Sequence, residues 1–158
     1  MANIKIIFAS QNKNKFLELK DILKPYNIKL RSMSDFTSTS PKENGQTFEE
    51  NALLKARWAV KYSHNKYASL ADDSGLCIKN LNNKPGIHSA RWAANKSYNQ
   101  VFLKIKYKFN SLGIEMKNQP AEFICVIAYI DTKKKEYLYK GSLKGTVSFP
   151  PKGEEGFG

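Results

Sequence analysis

Residues 3–23, NIKIIFASQNKNKFLELKDIL, decide the fold. The first seven, NIKIIFA, are β-branched, apolar and short, as a buried strand requires. SQNKNK is polar, and FLELKDIL then carries Phe16, Leu19, Ile22 and Leu23 at helical spacing, with Pro25 to stop the helix. Strand, polar turn and helix in succession are half of a βαβ unit, which predicts an α/β protein built on a central sheet.

Working outward, Ile28 to Met33 supplies a second strand, and residues 34–46 are a loop by their Ser, Thr, Pro, Asn and Gly content. Thr47 opens the next helix with the pattern T-F-E-E, in which the hydroxyl caps a free amide and Glu50 reaches back. That helix is expected to run to about Tyr62, with Phe48, Ala52, Ala56 and Ala59 near one stripe. Asn51 and Lys55 share another face, one turn apart. Residues 67–72 read as a strand ending at Asp72 and Asp73, and 75–79 as a separate one. LNNKPGIHSARWA reads as a long loop, and a helix follows around 98–111. AEFICVIAYI (121–130) and YLYKGSLKGTVSF (137–149) predict a β-hairpin around DTKKKE.

At 158 residues the chain fits one domain, 1–158. No run approaches the roughly 18 apolar residues of a membrane helix. The N-terminal apolar hexapeptide is too short for a secretory signal, so a cytoplasmic protein is expected. Cys77 and Cys125 sit in apolar stretches without metal-ligand spacing and read as small hydrophobes. His64 and His88 read as surface or packing residues. Net charge is +12, from 26 basic and 14 acidic residues. Of the basic residues 23 are Lys and 3 are Arg, and they are spread along the chain. Base readers and bidentate phosphate clamps favour Arg, so no specific nucleic-acid partner is expected; the charge predicts attraction to polyanions of any kind, nucleoside triphosphates included.

Three polar stations follow apolar strands or open a helix, where ligands of open α/β sheets bind. Ser10, Gln11, Asn12, Lys13, Asn14 and Lys15 stand between the first strand and helix, where backbone amides plus a lysine suit a phosphate; a merely polar turn is the alternative. Glu43 in the loop, with Asn51 and Lys55 on the capped helix, is the second; a solvated helix face is its alternative. The third is Asp72-Asp73-Ser74-Gly75. Adjacent carboxylates repel unless a cation neutralises them, and hard oxygens suit Mg²⁺; an Asx-type turn is the alternative. Together a phosphate cradle, a helical lysine and an acidic pair imply a metal-dependent enzyme acting on a phosphorylated small molecule.

At these motifs the chain resembles the inosine triphosphate pyrophosphatases, the house-cleaning enzymes for non-standard purine nucleotides. FASQNKNKFLELKDIL is similar to that family's opening motif, ENGQTFEENALLKA (43–56) to its capped-helix motif, and LADDSGLCI with PGIHSARWA (85–93) to its most diagnostic stretch. The resemblance implies a mixed central sheet flanked by helices, a homodimer, Mg²⁺, and hydrolysis of ITP, dITP and XTP to the monophosphate and pyrophosphate. It implies that Ser10 to Lys15 bind the triphosphate, with Asn12 and Lys15 foremost, and that Lys55 neutralises phosphate charge. Glu43 and Asp73 would hold Mg²⁺, Asp73 would also act as general base, Asp72 would support the site, and Ser74 would contact substrate. Phe157 is expected to stack on the purine, next to Gly158.

Two departures stand out. The family's first turn usually carries glycine where Gln11 and Asn14 stand. After GFG it continues into a Tyr-Asp-Pro segment, a helix and a Ser-His-Arg motif, so the chain is expected to lack its C-terminal segment. The rival expectation is a catalytically impaired remnant that only binds nucleotides or polyanions. The related septum-inhibitor-type pyrophosphatases carry Ser-Pro-Arg-Arg after the first strand, and QNKNK argues against them.

Overall fold

The computed structural model describes residues 5–64, 66–93, 98–150 and 152. The chain has a mixed α/β fold whose strands run β2-β1-β3-β5-β6, with a short β4 paired to β3. It divides into two compact units. The first holds residues 1–73 and 126–140, the second 74–125 and 141–158.

The first unit opens with β1 (Lys5–Phe8), α1 (Lys13–Leu23) and β2 (Lys29–Ser32). β1 pairs in parallel with β2, Ile6 against Leu30, and with the start of β3, Ile6 against Ala68. The expected helical stripe of α1 is realised in three of its four residues: Phe16, Leu19 and Leu23 pack on Ile6, Phe8, Leu30 and Ala68, whereas Ile22 is exposed. Asn12 caps α1, its side chain accepting from the amides of Asn14 and Lys15. α2 (Phe48–Tyr62) has the boundaries its cap and periodicity predict, with Thr47 Oγ1 accepting from the Glu50 amide at 3.1 Å. Ala52, Ala56 and Ala59 are wholly buried. Their small side chains bring α2 close enough to β3 for Ser69 Oγ to donate to Ala56 O at 2.9 Å.

β3 (Ala68–Ile78) corrects the sequence expectation, because one strand runs through the residues read as two. Asp72 and Asp73 therefore lie mid-strand and not at a strand end. Gly75 explains the error. Its composition suggests a turn, yet it serves close approach: a Cβ there would stand 2.3 Å from Gly86 O and 2.6 Å from Ser89 Oγ.

That approach lies in the second unit, where β4 (Lys84–Pro85) pairs antiparallel with β3, Cys77 against Pro85. The stretch read as a long loop is thus structured: β4, a tight turn at Gly86 (φ +56°) and α3 (Ser89–Ala93). α4 (Tyr98–Ser111) is the expected helix. Its Ile105 and Phe109 join Ile78, Leu81 and Met116 in this unit's core. β5 (Pro120–Ile130) and β6 (Glu136–Thr146) are the expected hairpin. Asp131 Oδ1 accepts from the amides of Lys133 and Lys135, which fixes the turn between them. Cys77 is buried and Cys125 half-buried; His64 and His88 are exposed, as read. No helix among the described residues is long and apolar enough to cross a membrane.

Candidate active site

Four residues of the first unit converge on one point. α2 supplies Lys55 and, one turn earlier, Asn51; β3 supplies Asp73; the loop before α2 supplies Glu43. Lys55 Nζ lies 3.0 Å from Glu43 Oε1 and 3.1 Å from Asp73 Oδ1. Asn51 is wholly buried, and its Nδ2 donates to Asp73 Oδ2 at 3.3 Å. The second and third stations of the sequence are therefore one site.

The first station joins it through the other aspartate. Lys15 Nζ donates to Asp72 Oδ2 at 2.6 Å. Side chains of successive strand residues alternate in direction, and the doublet accordingly divides between two lysines. Asp72 still contributes to the field at Lys55.

Burial is the largest influence on Lys55 and pulls its ammonium down. The fields of Asp73, Glu43 and Asp72, with the hydrogen bond to Glu43, together outweigh it, and Lys55 is held above the usual lysine range. Asp73 is pushed above the usual carboxylate range, first by burial and further by the like charge of Glu43, against the lowering pull of Lys55 and Asn51. A carboxylate raised in this way holds a proton more readily than an ordinary one.

Beside these groups lies a cavity of about 180 Å³ lined by Ala9, Ser10, Gln11, Met33, Ser40, Pro41, Glu43, Lys55 and Trp58. Ser10 Oγ accepts from the Asn12 amide at 3.2 Å. The amides of Asn14 and Lys15, expected to face a phosphate, are taken up by the Asn12 cap at 3.0 and 3.2 Å. Gln11 serves the loop: its Nε2 donates to Thr37 O and Thr39 O at 3.0 and 2.9 Å. Lys13 and Asn14 are exposed on the first turn of α1. Ser74 follows Asp73 directly but falls in the second unit. Phe157 and Gly158 lie outside the described residues.

Among the described residues no three carboxylate, histidine or cysteine groups cluster as a ready metal cage. Two carboxylates do converge on a single cationic head. That donor set fits a hard divalent ion that takes one or two carboxylates and fills its remaining positions with water and phosphate. Sequence reasoning missed Trp58 and the loop residues Ser40 and Pro41. For Trp58 a signal existed, since it stands three residues after Lys55 on a helix and so shares its face.

The profile of the Ham1 family matches residues 6–158. The dITP/XTP pyrophosphatase of Bartonella quintana (strain Toulouse) is 33% identical over 163 residues, covering 100% of this chain and 75% of that protein. Among solved structures, a HAM1 protein from Coxiella burnetii superposes with a TM-score of 0.86 at 34% identity, covering 98% of this chain and 78% of its own. The Staphylococcus aureus Ham1 protein gives 0.79 at 36%, covering 98% and 77%. These matches take in nearly the whole chain and about three quarters of the length of each relative.

Proposed function

The chain belongs to the Ham1 family, and from that premise we propose that it hydrolyses non-standard purine nucleoside triphosphates, dITP, XTP and ITP, to the monophosphate and pyrophosphate. Mg²⁺ as cofactor, a homodimer and a cytoplasmic setting belong to the same reading. The observation that carries it is the convergence of Glu43, Asp73 and Lys55 beside the Ser10 cavity. That relatives a third or so identical to this chain are dITP/XTP pyrophosphatases supports the substrate class.

Hydrolysis at the α-phosphorus needs charge neutralisation on the phosphoryl oxygens and the departing pyrophosphate, and a base for the attacking water. Glu43 and Asp73 would hold Mg²⁺, which when bound supplies Lewis-acid stabilisation of those oxygens. Lys15 and Lys55 bring ammonium groups to the phosphate tail. Asp73, raised by burial, accepts the proton of the attacking water. Asp72 holds Lys15 in place. Ser10 and Asn12 shape the turn at the start of α1. The reading assigns Lys13 and Asn14 to the outer phosphate tail, and Ser74, Phe157 and Gly158 to the substrate.

The test is release of pyrophosphate from dITP, XTP, ITP and the common NTPs, with and without Mg²⁺. Pyrophosphate from the deaminated nucleotides only with Mg²⁺ is the expected result. Binding without turnover would leave only a nucleotide-binding protein, and orthophosphate as product would replace the reaction.

A further inference from the structure

Two bridges, one helical turn apart, run from α2 to the same loop and the same aspartate. Lys55 makes the first, joining Glu43 to Asp73. Asn51 makes the second. Its Oδ1 accepts from the amide of Gly45, two residues past Glu43, at 2.9 Å, and its Nδ2 donates to Asp73 Oδ2 at 3.3 Å. The two oxygens of Asp73 are thus divided, Oδ1 to Lys55 and Oδ2 to Asn51.

The geometry points to Asn51 as a positioning residue that sets the separation of the Glu43 and Asp73 carboxylates, and with it the grip of the site on a divalent cation. A buried asparagine near a helix start ordinarily caps its own helix. Here that task falls to Thr47, and Asn51 reaches to a strand residue 22 positions away. With no exposed surface and both polar ends of its side chain engaged, Asn51 cannot shift without releasing either the loop or the aspartate. Gly45 belongs to the same device. A Cβ there would stand 2.7 Å from Asn51 Oδ1 and 2.8 Å from Glu50 Cβ, so a larger residue holds the Glu43 loop off α2.

The inference rests on the metal-dependent reading above, and its test separates the two. The parent protein, Asn51→Ala, Gly45→Ala and the double variant are titrated with Mg²⁺ alone, binding being read from the rise in Tm. Pyrophosphate release from dITP is then followed across Mg²⁺ concentrations. Groups that orient metal ligands typically contribute 10–100-fold, so each single variant is expected to weaken Mg²⁺ binding by about that factor. Half-activating Mg²⁺ should rise in step while KM for dITP at saturating Mg²⁺ changes little. The double variant should be no worse than Asn51→Ala, because both changes break one device. Mg²⁺ affinity equal to the parent in folded Asn51→Ala, or losses that multiply in the double variant, overturns the proposal. If Asn51→Ala does not fold, Gly45→Ala decides on the same criterion. A parent that binds no Mg²⁺ overturns it as well. A parent that binds Mg²⁺ through the device but releases no pyrophosphate leaves the positioning role standing and removes the proposed function.

Discussion

Burial first, and the like charge of Glu43 after it, hold Asp73 above its ordinary range although Lys55 sets a positive charge beside both carboxylates. An acid whose folded pKa lies above its ordinary 3.8 binds more protons folded than unfolded in the interval between. Its stabilising contribution is therefore intact below 3.8 and is lost as pH rises through the raised value. Asp73→Asn removes that loss. Its Tm relative to the parent should rise between pH 4 and pH 8, while pyrophosphate release falls by about 10²–10⁴-fold, the usual worth of a general base. Thermal melts at both pH values, beside the release assay, check the two halves of the prediction. Lys55→Met has the opposite effect on stability, since it leaves Glu43 and Asp73 without their shared cation. Breaking a buried pair costs about 3–5 kcal/mol, and a domain of this size loses roughly 2–4 °C per kcal/mol. The fall in Tm should lie toward the low end of the resulting range, because the Glu43 side chain is 33% exposed, and should shrink as acid protonates the carboxylates. What the sequence revealed at this scale was residue type. Read from the residues, Glu43 stood with Asn51 and Lys55, and Asp73 in a separate station. Only the family resemblance joined Glu43 to Asp73, because the pairing of a loop, a helix and a strand far apart in the chain leaves no periodicity to read. Asn51 was visible on the Lys55 face, yet its two ends could be read only once Gly45 and Asp73 were in place.

Among the elements, α1, α2 and α4 were legible because each carries a stripe, a cap or a stop: Pro25 for the first, Thr47 for the second. β3 was not. D-D-S-G has the composition of a turn, and only the packing of Gly86 against Gly75 reveals why glycine stands inside a continuous strand. Gly75→Ala should therefore behave as an overpacking substitution, costing about 1–3 kcal/mol. A thermal melt should show a drop of roughly 2–12 °C, and a melt like the parent's would mean that the Gly86 carbonyl moves aside freely. The 81–93 segment was misread for a related reason. Its Asn, Lys, Pro and Gly suggest loop, whereas a two-residue strand and a five-residue helix are too short to leave a pattern.

At the scale of the molecule, a surplus of +12 built almost wholly from lysine attracts any polyanion over distances that salt controls. Screening shortens from about 30 Å in dilute buffer to about 8 Å at physiological ionic strength. The value of kcat/KM for dITP should fall several-fold across that interval with kcat changed much less, which steady-state kinetics at two salt concentrations will show. The α/β architecture was readable from the first strand, turn and helix, whereas the division into two units was not, because β3, β5 and β6 cross from one to the other without any break in composition. For all the surplus of charge, Lys15 and Lys55 already hold aspartates at 2.6 and 3.1 Å. An anion arriving alone must displace a carboxylate and strand it. An anion arriving with a divalent ion offers that carboxylate a new counterion in the same event. On the proposed reading, nucleotide and metal would be thermodynamically linked, each tightening the hold on the other by the same factor, and stray inorganic anions lacking a metal companion would compete poorly for the lysines.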